Sequence, residues 1–232
     1  MLGIFERITD YSKMMMRIMA STFALSVLAL WLLRTRIPEL DATLAAHLPT
    51  VTIKILELPV SFGTLLPAAI ISVLFRVFRV HDRISDVLRI RRRFDAKHIL
   101  HPLAVGALGH VSDKEMKKIE GARNDLMYRV FYKYASSKTP AIDAHFIEDA
   151  LDWWGWYWCV LEGICVVLIS AGLAGAYGHW RLCAAFVIAS LIGVIGAALI
   201  KRRCNLSAHR EVVEILRDKT RSREIESQFR AI

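Results

Sequence analysis

The sequence has little that would support covalent cross-linking or enzymatic chemistry. It contains four cysteines among 232 residues, and they fall in or beside apolar runs at different depths, which argues against a disulfide framework. It also lacks a glycine-rich phosphate loop, a GxSxG elbow and the kinase motif set. We therefore expect free, mostly buried thiols and a protein that is not an enzyme.

Acidic residues are scarce relative to basic ones. The chain has 22 Asp and Glu against 31 Lys and Arg, so its formal net charge is +9 at pH 7. A basic balance attracts anionic lipid headgroups, acidic proteins or nucleic acid, and composition alone does not choose among them. The sequence thus predicts an anionic partner without naming its chemical class.

Long apolar runs are what the sequence has in excess. Hydrophobic residues make up 55% of the chain and the mean hydropathy is +0.38, more than is typical of a soluble domain. A run of about 20 residues, at about 1.5 Å each, crosses a hydrocarbon core of about 30 Å. Four runs are predicted transmembrane helices: 18–33, 58–75, 156–177 and 182–200. The first has no small-residue cleavage site before it, so we expect a retained span and not a signal peptide.

The predicted organisation alternates membrane and aqueous segments, which makes the fold class an all-α membrane protein with four spans and a cytoplasmic helical layer. Its parts are a lead-in with the first two spans (1–75), a helical domain (76–152), a transmembrane hairpin (153–200) and a helical tail (201–232). The second span is expected to continue past Phe75 as an amphipathic helix. Ser112 with Glu115 predicts one helix start, and Ser207 with Glu211 predicts the start of a separate tail helix.

Basic residues predict the orientation. All but four of the Lys and Arg residues lie before the first span, between the second and third, or after the fourth. Because cytoplasmic segments carry the excess of Lys and Arg, we expect both termini and the central domain in the cytoplasm. The membrane expected from this architecture is a bacterial inner membrane.

Glu162 is the most informative single residue because it lies inside the third predicted span. A carboxylate in hydrocarbon costs a few kcal/mol, so Glu162 is expected to face the bundle and to be paired or protonated. Arg17, Arg76, Ser72 and Ser21 are the partners that depth suggests. The functional interpretation is an ion or proton site, or a pore-lining group. The alternative is a structural ion pair or a carboxylate near enough to the interface to stay wet.

Small residues recur at helical spacing on the last two predicted spans. Such faces let helix backbones approach closely in lipid, and they predict either packing within the hairpin or self-association into a homo-oligomer. The residues are Gly163, Ala171 and Gly175 on the third span, and Ala185, Ala189, Gly193 and Ala197 on the fourth.

A run of arginines follows the second span: Arg89, Arg91, Arg92 and Arg93. It resembles a phosphate-binding patch, and the alternative is a juxtamembrane cluster that meets anionic headgroups. Nucleic acid is less favoured because no aromatic residues interleave the arginines. The sequence thus predicts a partner-binding or anion-binding segment here.

Histidines supply weaker signals. His98 and His101 are three apart, and His145 precedes acidic residues three and four positions later, but neither spacing completes a metal site. The lone histidines, His81 among them, have no informative spacing. We therefore predict no metal and no cofactor.

Two functional hypotheses remain. The first is a non-enzymatic sensor or scaffold, of the kind found in bacterial stress or phage-defence systems, whose basic cytoplasmic layer binds a soluble partner or anionic ligand. The alternative is an oligomeric pore or ion-conducting effector with Glu162 along the path. An enzyme acting on lipid is less favoured, since only Glu162 supplies a clear intramembrane polar group.

Overall fold

The chain folds into helices with one short hairpin. A computed structural model describes residues 7–48, 52–55 and 58–232; residues 1–6 of the predicted lead-in lie outside them. The α-helices are α1 (Tyr11–Arg36), α2 (Pro38–His47), α3 (Phe62–Val77), α4 (Val80–Val87), α5 (Ile90–Phe94), α6 (His101–Leu108), α7 (Asp113–Gly121), α8 (Arg123–Leu126), α9 (Ala144–Ala176), α10 (Trp180–Arg217) and α11 (Lys219–Arg230). Two π-helices, Asp95–Leu100 and Met127–Tyr132, complete the helical part.

Three helices, α1, α9 and α10, are long and apolar enough to cross a membrane. The pair α3 and α4 adds a fourth crossing only if the two count as one span, since they are bent by 53° at a short break. The structure therefore confirms helices of membrane-spanning length and a helical fold class.

The second predicted span differs from the structure at its beginning. Strand β1 (Thr52–Ile55) pairs antiparallel with β2 (Leu58–Ser61), with Ile55 opposite Leu58. Pro59 disfavours a helical conformation at the residue before it, so apolarity at Leu58 does not imply helix. The helix α3 begins at Phe62, and its 16 residues extend about 24 Å, less than a hydrocarbon core of about 30 Å.

Two left-handed corners interrupt the amphipathic helix predicted after Phe75. Arg79 has φ of 48° and Arg89 has φ of 53°, and each corner ends one helical segment before the next begins. A non-glycine residue in this region is uncommon and costs about 1–3 kcal/mol. Helical periodicity carries no sign of such a corner, so the predicted continuous helix was wrong.

The chain divides into two compact units. Unit 1 comprises residues 15–81 and 155–199 among those described, and unit 2 comprises 7–14, 82–154 and 200–232. The core of unit 1 joins α1, α3, α9 and α10. Its buried side chains are Leu30, Leu33, Ile37, Ala68, Ala171, Ala174 and Phe186.

Unit 2 packs short helices around the two π-helices. Helix α11 lies against α6 and contributes the buried Ile225 and Phe229. Gly106 of α6 meets Leu216 so closely that an added Cβ would lie 2.3 Å from Leu216 Cδ1. π-Helices are rare and concentrate at functional sites, and the first one bears the buried Asp95.

The two predicted helix starts have opposite outcomes. Ser112 and Glu115 form the capping box, with the Ser112 amide donating to the Glu115 carboxylate at 2.7 Å. Ser207, in contrast, lies inside α10, and its hydroxyl donates to Asp149 Oδ2 at 3.0 Å. No helix breaker separates Ile200 from Ser207, and a carboxylate four residues on is not at the capping position, so the prediction of a separate tail helix there was wrong.

Candidate functional site

Glu162 is buried inside unit 1 with two polar partners. Its side chain is 2% exposed. The Thr22 hydroxyl donates to Glu162 Oε2 at 2.6 Å, and Nδ1 of His81 lies 3.3 Å from Oε1. Three segments far apart in sequence therefore converge on one carboxylate, which leaves both of its oxygens in polar contact.

Local structure explains how His81 reaches Glu162. His81 is the second residue of α4, directly after the left-handed corner at Arg79. Its ring meets Trp158 edge-on, with centroids 6.1 Å apart, and Trp158 lies one turn before Glu162 on α9, so both contacts come from one helix face. The sequence gave His81 no detectable pattern because its position depends on the corner.

The predicted partners of Glu162 have other contacts. Ser72 donates to the Met19 carbonyl at 3.0 Å, and the Arg17 guanidinium lies over the Trp156 ring at 4.9 Å. Ser72 and Arg76 do line a cavity of about 10 Å³ that also touches Glu162 and His81. A space of about 10–15 Å³ holds one water, so the cavity is the size of a single water molecule. Thr22, beside Ser21, is a partner that depth alone could have suggested.

The small residues of the last two spans are partly used inside unit 1. An added Cβ at Gly163 would lie 2.8 Å from Leu25 Cδ1, and one at Gly193 would lie 2.9 Å from Ile164 Cγ1. Ala171 and Ala197 are buried, and Gly175 approaches the side chains of Trp180 and Cys183. Ala185 and Ala189, on α10, are exposed.

Three of the four predicted arginines line one surface pocket in unit 2. The pocket has a volume of about 200 Å³. Its lining consists of Arg89, Arg92, Arg93, Ala96, Glu120 and Arg123. Four guanidinium groups and one carboxylate therefore surround a single space, and Arg123 and Glu120 are members that the sequence analysis missed because they come from a distant helix pair.

Arg91, the fourth predicted arginine, does not line this pocket. Its guanidinium pairs with Asp82 Oδ1 at 2.9 Å. Helical geometry explains the division, because Arg92 and Arg93 point away from the face on which Arg91 lies. The arginine run thus combines an internal ion pair with a set of pocket-lining groups.

Arg123 connects the pocket to a buried carboxylate. It pairs with Asp95, which is only 4% exposed. Burial raises the pKa of Asp95 to about 6, although the positive charge of Arg123 opposes the shift. The pocket therefore has one internal counter-charge, and that charge titrates near neutral pH.

Metal ligation finds no site in the described part of the chain: no three His, Cys, Asp or Glu side chains there are grouped to hold an ion. The pattern at His145 serves a different purpose. Arg7 donates to the His145 ring and pairs with Glu148 at 3.0 Å.

A family model described as the YmfE protein family matches residues 10–228. The chain belongs to the YmfE protein family. No curated protein and no solved structure matches it. The YmfE match covers both polar sites, Glu162 with its partners and the arginine pocket.

The two sites of this YmfE-family chain have different chemical capacities. The Thr22, His81 and Glu162 group pairs a carboxylate with an imidazole and a hydroxyl, a combination that can hold or pass a proton inside a membrane. The arginine pocket presents planar guanidinium forks, which bind phosphate or carboxylate in a bidentate manner. The first can operate with groups already in place, whereas the second needs an anion from outside.

Proposed function

We propose that the protein is a non-enzymatic, multi-pass protein of a bacterial inner membrane whose basic helical unit binds an anionic ligand or soluble partner. The arginine pocket would be the contact site. Its membership in a stress or phage-defence system and its self-association, for which Ala185 and Ala189 are the exposed small residues, stay predictions.

One observation supports the proposal most strongly. Arg89, Arg92 and Arg93 line a common pocket, and among the described residues none of the three has a carboxylate within ion-pair distance. Like charges held together without internal compensation repel each other, so such a grouping favours an external anion. A net charge of +9 strengthens the attraction at longer range.

The test is anion binding by the full chain in detergent. Wild-type protein titrated calorimetrically with inorganic pyrophosphate should bind it, and Arg92→Ala/Arg93→Ala should weaken binding by about tenfold or more, as expected for losing charge-assisted hydrogen bonds. Arg217→Ala/Arg223→Ala removes the same charge elsewhere in unit 2 and should bind within about twofold of wild type. Equal weakening in both double variants would argue for non-specific attraction.

The orientation is part of the proposal. With four crossings, α3 and α4 forming one bent span, the basic segments would all lie in the cytoplasm. A reporter fused at Tyr177, between α9 and α10, is expected to be active only outside the cytoplasm. Cytoplasmic activity at that position would reverse the orientation.

A second candidate function is ion or proton conduction past Glu162. The cavity of one-water size beside Glu162 and His81 favours it, because a water next to a carboxylate and an imidazole can relay protons. In cells expressing the protein, a membrane-potential dye should then report depolarisation that Glu162→Gln abolishes and Arg91→Ala preserves. Unchanged potential with the wild-type chain would exclude conduction.

A further inference from the structure

We infer that the arginine pocket holds the phosphate group of an anionic phospholipid, with Val87 and Leu88 against the lipid's apolar part. The inference rests on the proposed function and specifies the ligand class for the same site. Every residue that carries it belongs to unit 2.

Pocket size and chemistry suit a phosphate. A volume of about 200 Å³ far exceeds the 10–15 Å³ that one water needs, so a phosphate group with some of its water fits. Arg89, Arg92 and Arg93 are exposed, which leaves their donors accessible, while Arg123 is held by Asp95 at the inner side. A planar fork matches phosphate oxygens better than a point charge does.

The strained corner at Arg89 places apolar surface beside the pocket. Val87 is 80% exposed and Leu88 is 55% exposed, and Arg89, directly after them, has φ of 53°. Because the strain is not relieved by glycine, the surrounding structure must stabilise this conformation. Its effect is to join two exposed apolar side chains to a phosphate-binding arginine within three consecutive residues.

This combination favours a lipid over a free phosphate or a nucleic acid. A soluble phosphate would gain nothing from Val87 and Leu88, whereas a phospholipid places apolar groups immediately next to its phosphate. Single-stranded nucleic acid is bound through stacked aromatic side chains, and the described residues that line the pocket include none. Arg89 also follows Val77, the end of α3, by only twelve positions, eight of which form α4 and extend about 12 Å, so the chain keeps it close to an apolar helix end.

The experiment titrates the full chain in detergent with three compounds: dioctanoyl phosphatidic acid, dioctanoyl phosphatidylcholine and glycerol 3-phosphate. We expect phosphatidic acid to bind at least about tenfold more tightly than either of the others, because only it combines an accessible phosphate with apolar groups. Arg92→Ala/Arg93→Ala should remove that binding, and Arg217→Ala/Arg223→Ala should retain it.

Val87→Ser/Leu88→Ser separates the lipid inference from anion binding. This exposed pair can be changed with little effect on folding, and the variant should bind phosphatidic acid and glycerol 3-phosphate about equally. If wild type already binds the two equally and both depend on Arg92 and Arg93, the pocket binds soluble anions and the lipid inference fails while the proposed function stands. If none of the compounds, nor pyrophosphate, depends on those arginines, both fail.

Discussion

Glu162 in unit 1 and the arginines of unit 2 are both polar groups in a largely apolar protein, but the chain treats their charges differently. Glu162 is buried and has Thr22 and His81 in contact with its two oxygens. Arg89, Arg92 and Arg93 are exposed and share a pocket whose lining has Glu120 as its one carboxylate among the described residues.

The difference separates a group that the fold completes from one that it leaves incomplete. A buried charge must be compensated within the protein, since its desolvation would otherwise oppose folding. Exposed arginines are hydrated, so they can remain uncompensated until an anion arrives. Stability measurements should therefore identify the first site and binding measurements the second.

The largest expected effect is on the buried site. Glu162→Leu removes the acceptor of the Thr22 hydroxyl and the partner of the His81 ring, and at about 1–3 kcal/mol for each buried group left without a partner, the loss in unfolding free energy should be about 4 kcal/mol. Denaturant unfolding in detergent measures it. Ser170→Ala is the matched control, because Ser170 donates only to Val166 in its own helix; a loss no greater than in this control would show that the contacts of Glu162 do not stabilise unit 1.

Asp95 tests whether the pocket of unit 2 has any built-in compensation. Its pKa is about 6 in the folded protein against 3.8 normally, so the folded state binds more protons between these values and the wild type should lose stability as pH rises from about 4 to 6. A shift of this size corresponds to about 3 kcal/mol. Asp95→Asn should flatten that pH dependence, measured by unfolding at pH 4, 5, 6 and 7. A variant that retains the wild-type slope would assign the titration to another group.

Sequence patterns predicted the features that depend on neighbours along the chain. Apolar run length identified α1, α9 and α10 as helices of membrane-spanning length, and a local hydrogen-bonding pattern identified the Ser112 capping box. Glu162 and the arginine run were noticed for their chemistry alone. In each case the physical signal lies within a few helical turns.

Features that depend on tertiary contacts or strain were missed. Neither left-handed corner is visible in periodicity, because Arg79 and Arg89 are ordinary residues for a helix and adopt positive φ only in the folded chain. His81 reaches Glu162 through the first corner, and the second corner directly precedes the arginines of the pocket. Arg123 and Glu120 join those arginines through folding over about thirty residues, a separation that no local pattern spans.

A smaller effect is expected from the one carboxylate on the pocket wall. Glu120 is exposed and opposes an incoming anion, so Glu120→Gln should strengthen pyrophosphate binding by about threefold, in the range of a single exposed charge interaction. Glu39→Gln makes the same charge change in α2, outside unit 2, and should leave affinity unchanged. Raising the salt concentration should shrink the Glu120 effect, and an effect that persists in high salt would indicate a change in pocket shape instead.

The smallest expected effect completes the comparison between the sites. Arg92→Ala should change the unfolding free energy by less than about 0.5 kcal/mol, as for other exposed substitutions, because its guanidinium makes no ion pair among the described residues and its removal lowers repulsion with Arg89 and Arg93. The same variant should weaken anion binding measurably. Unfolding and pyrophosphate titration of one protein preparation give both quantities. A loss above about 1 kcal/mol would mean that Arg92 supports the fold, and the pocket would then need no external anion to explain its arginines.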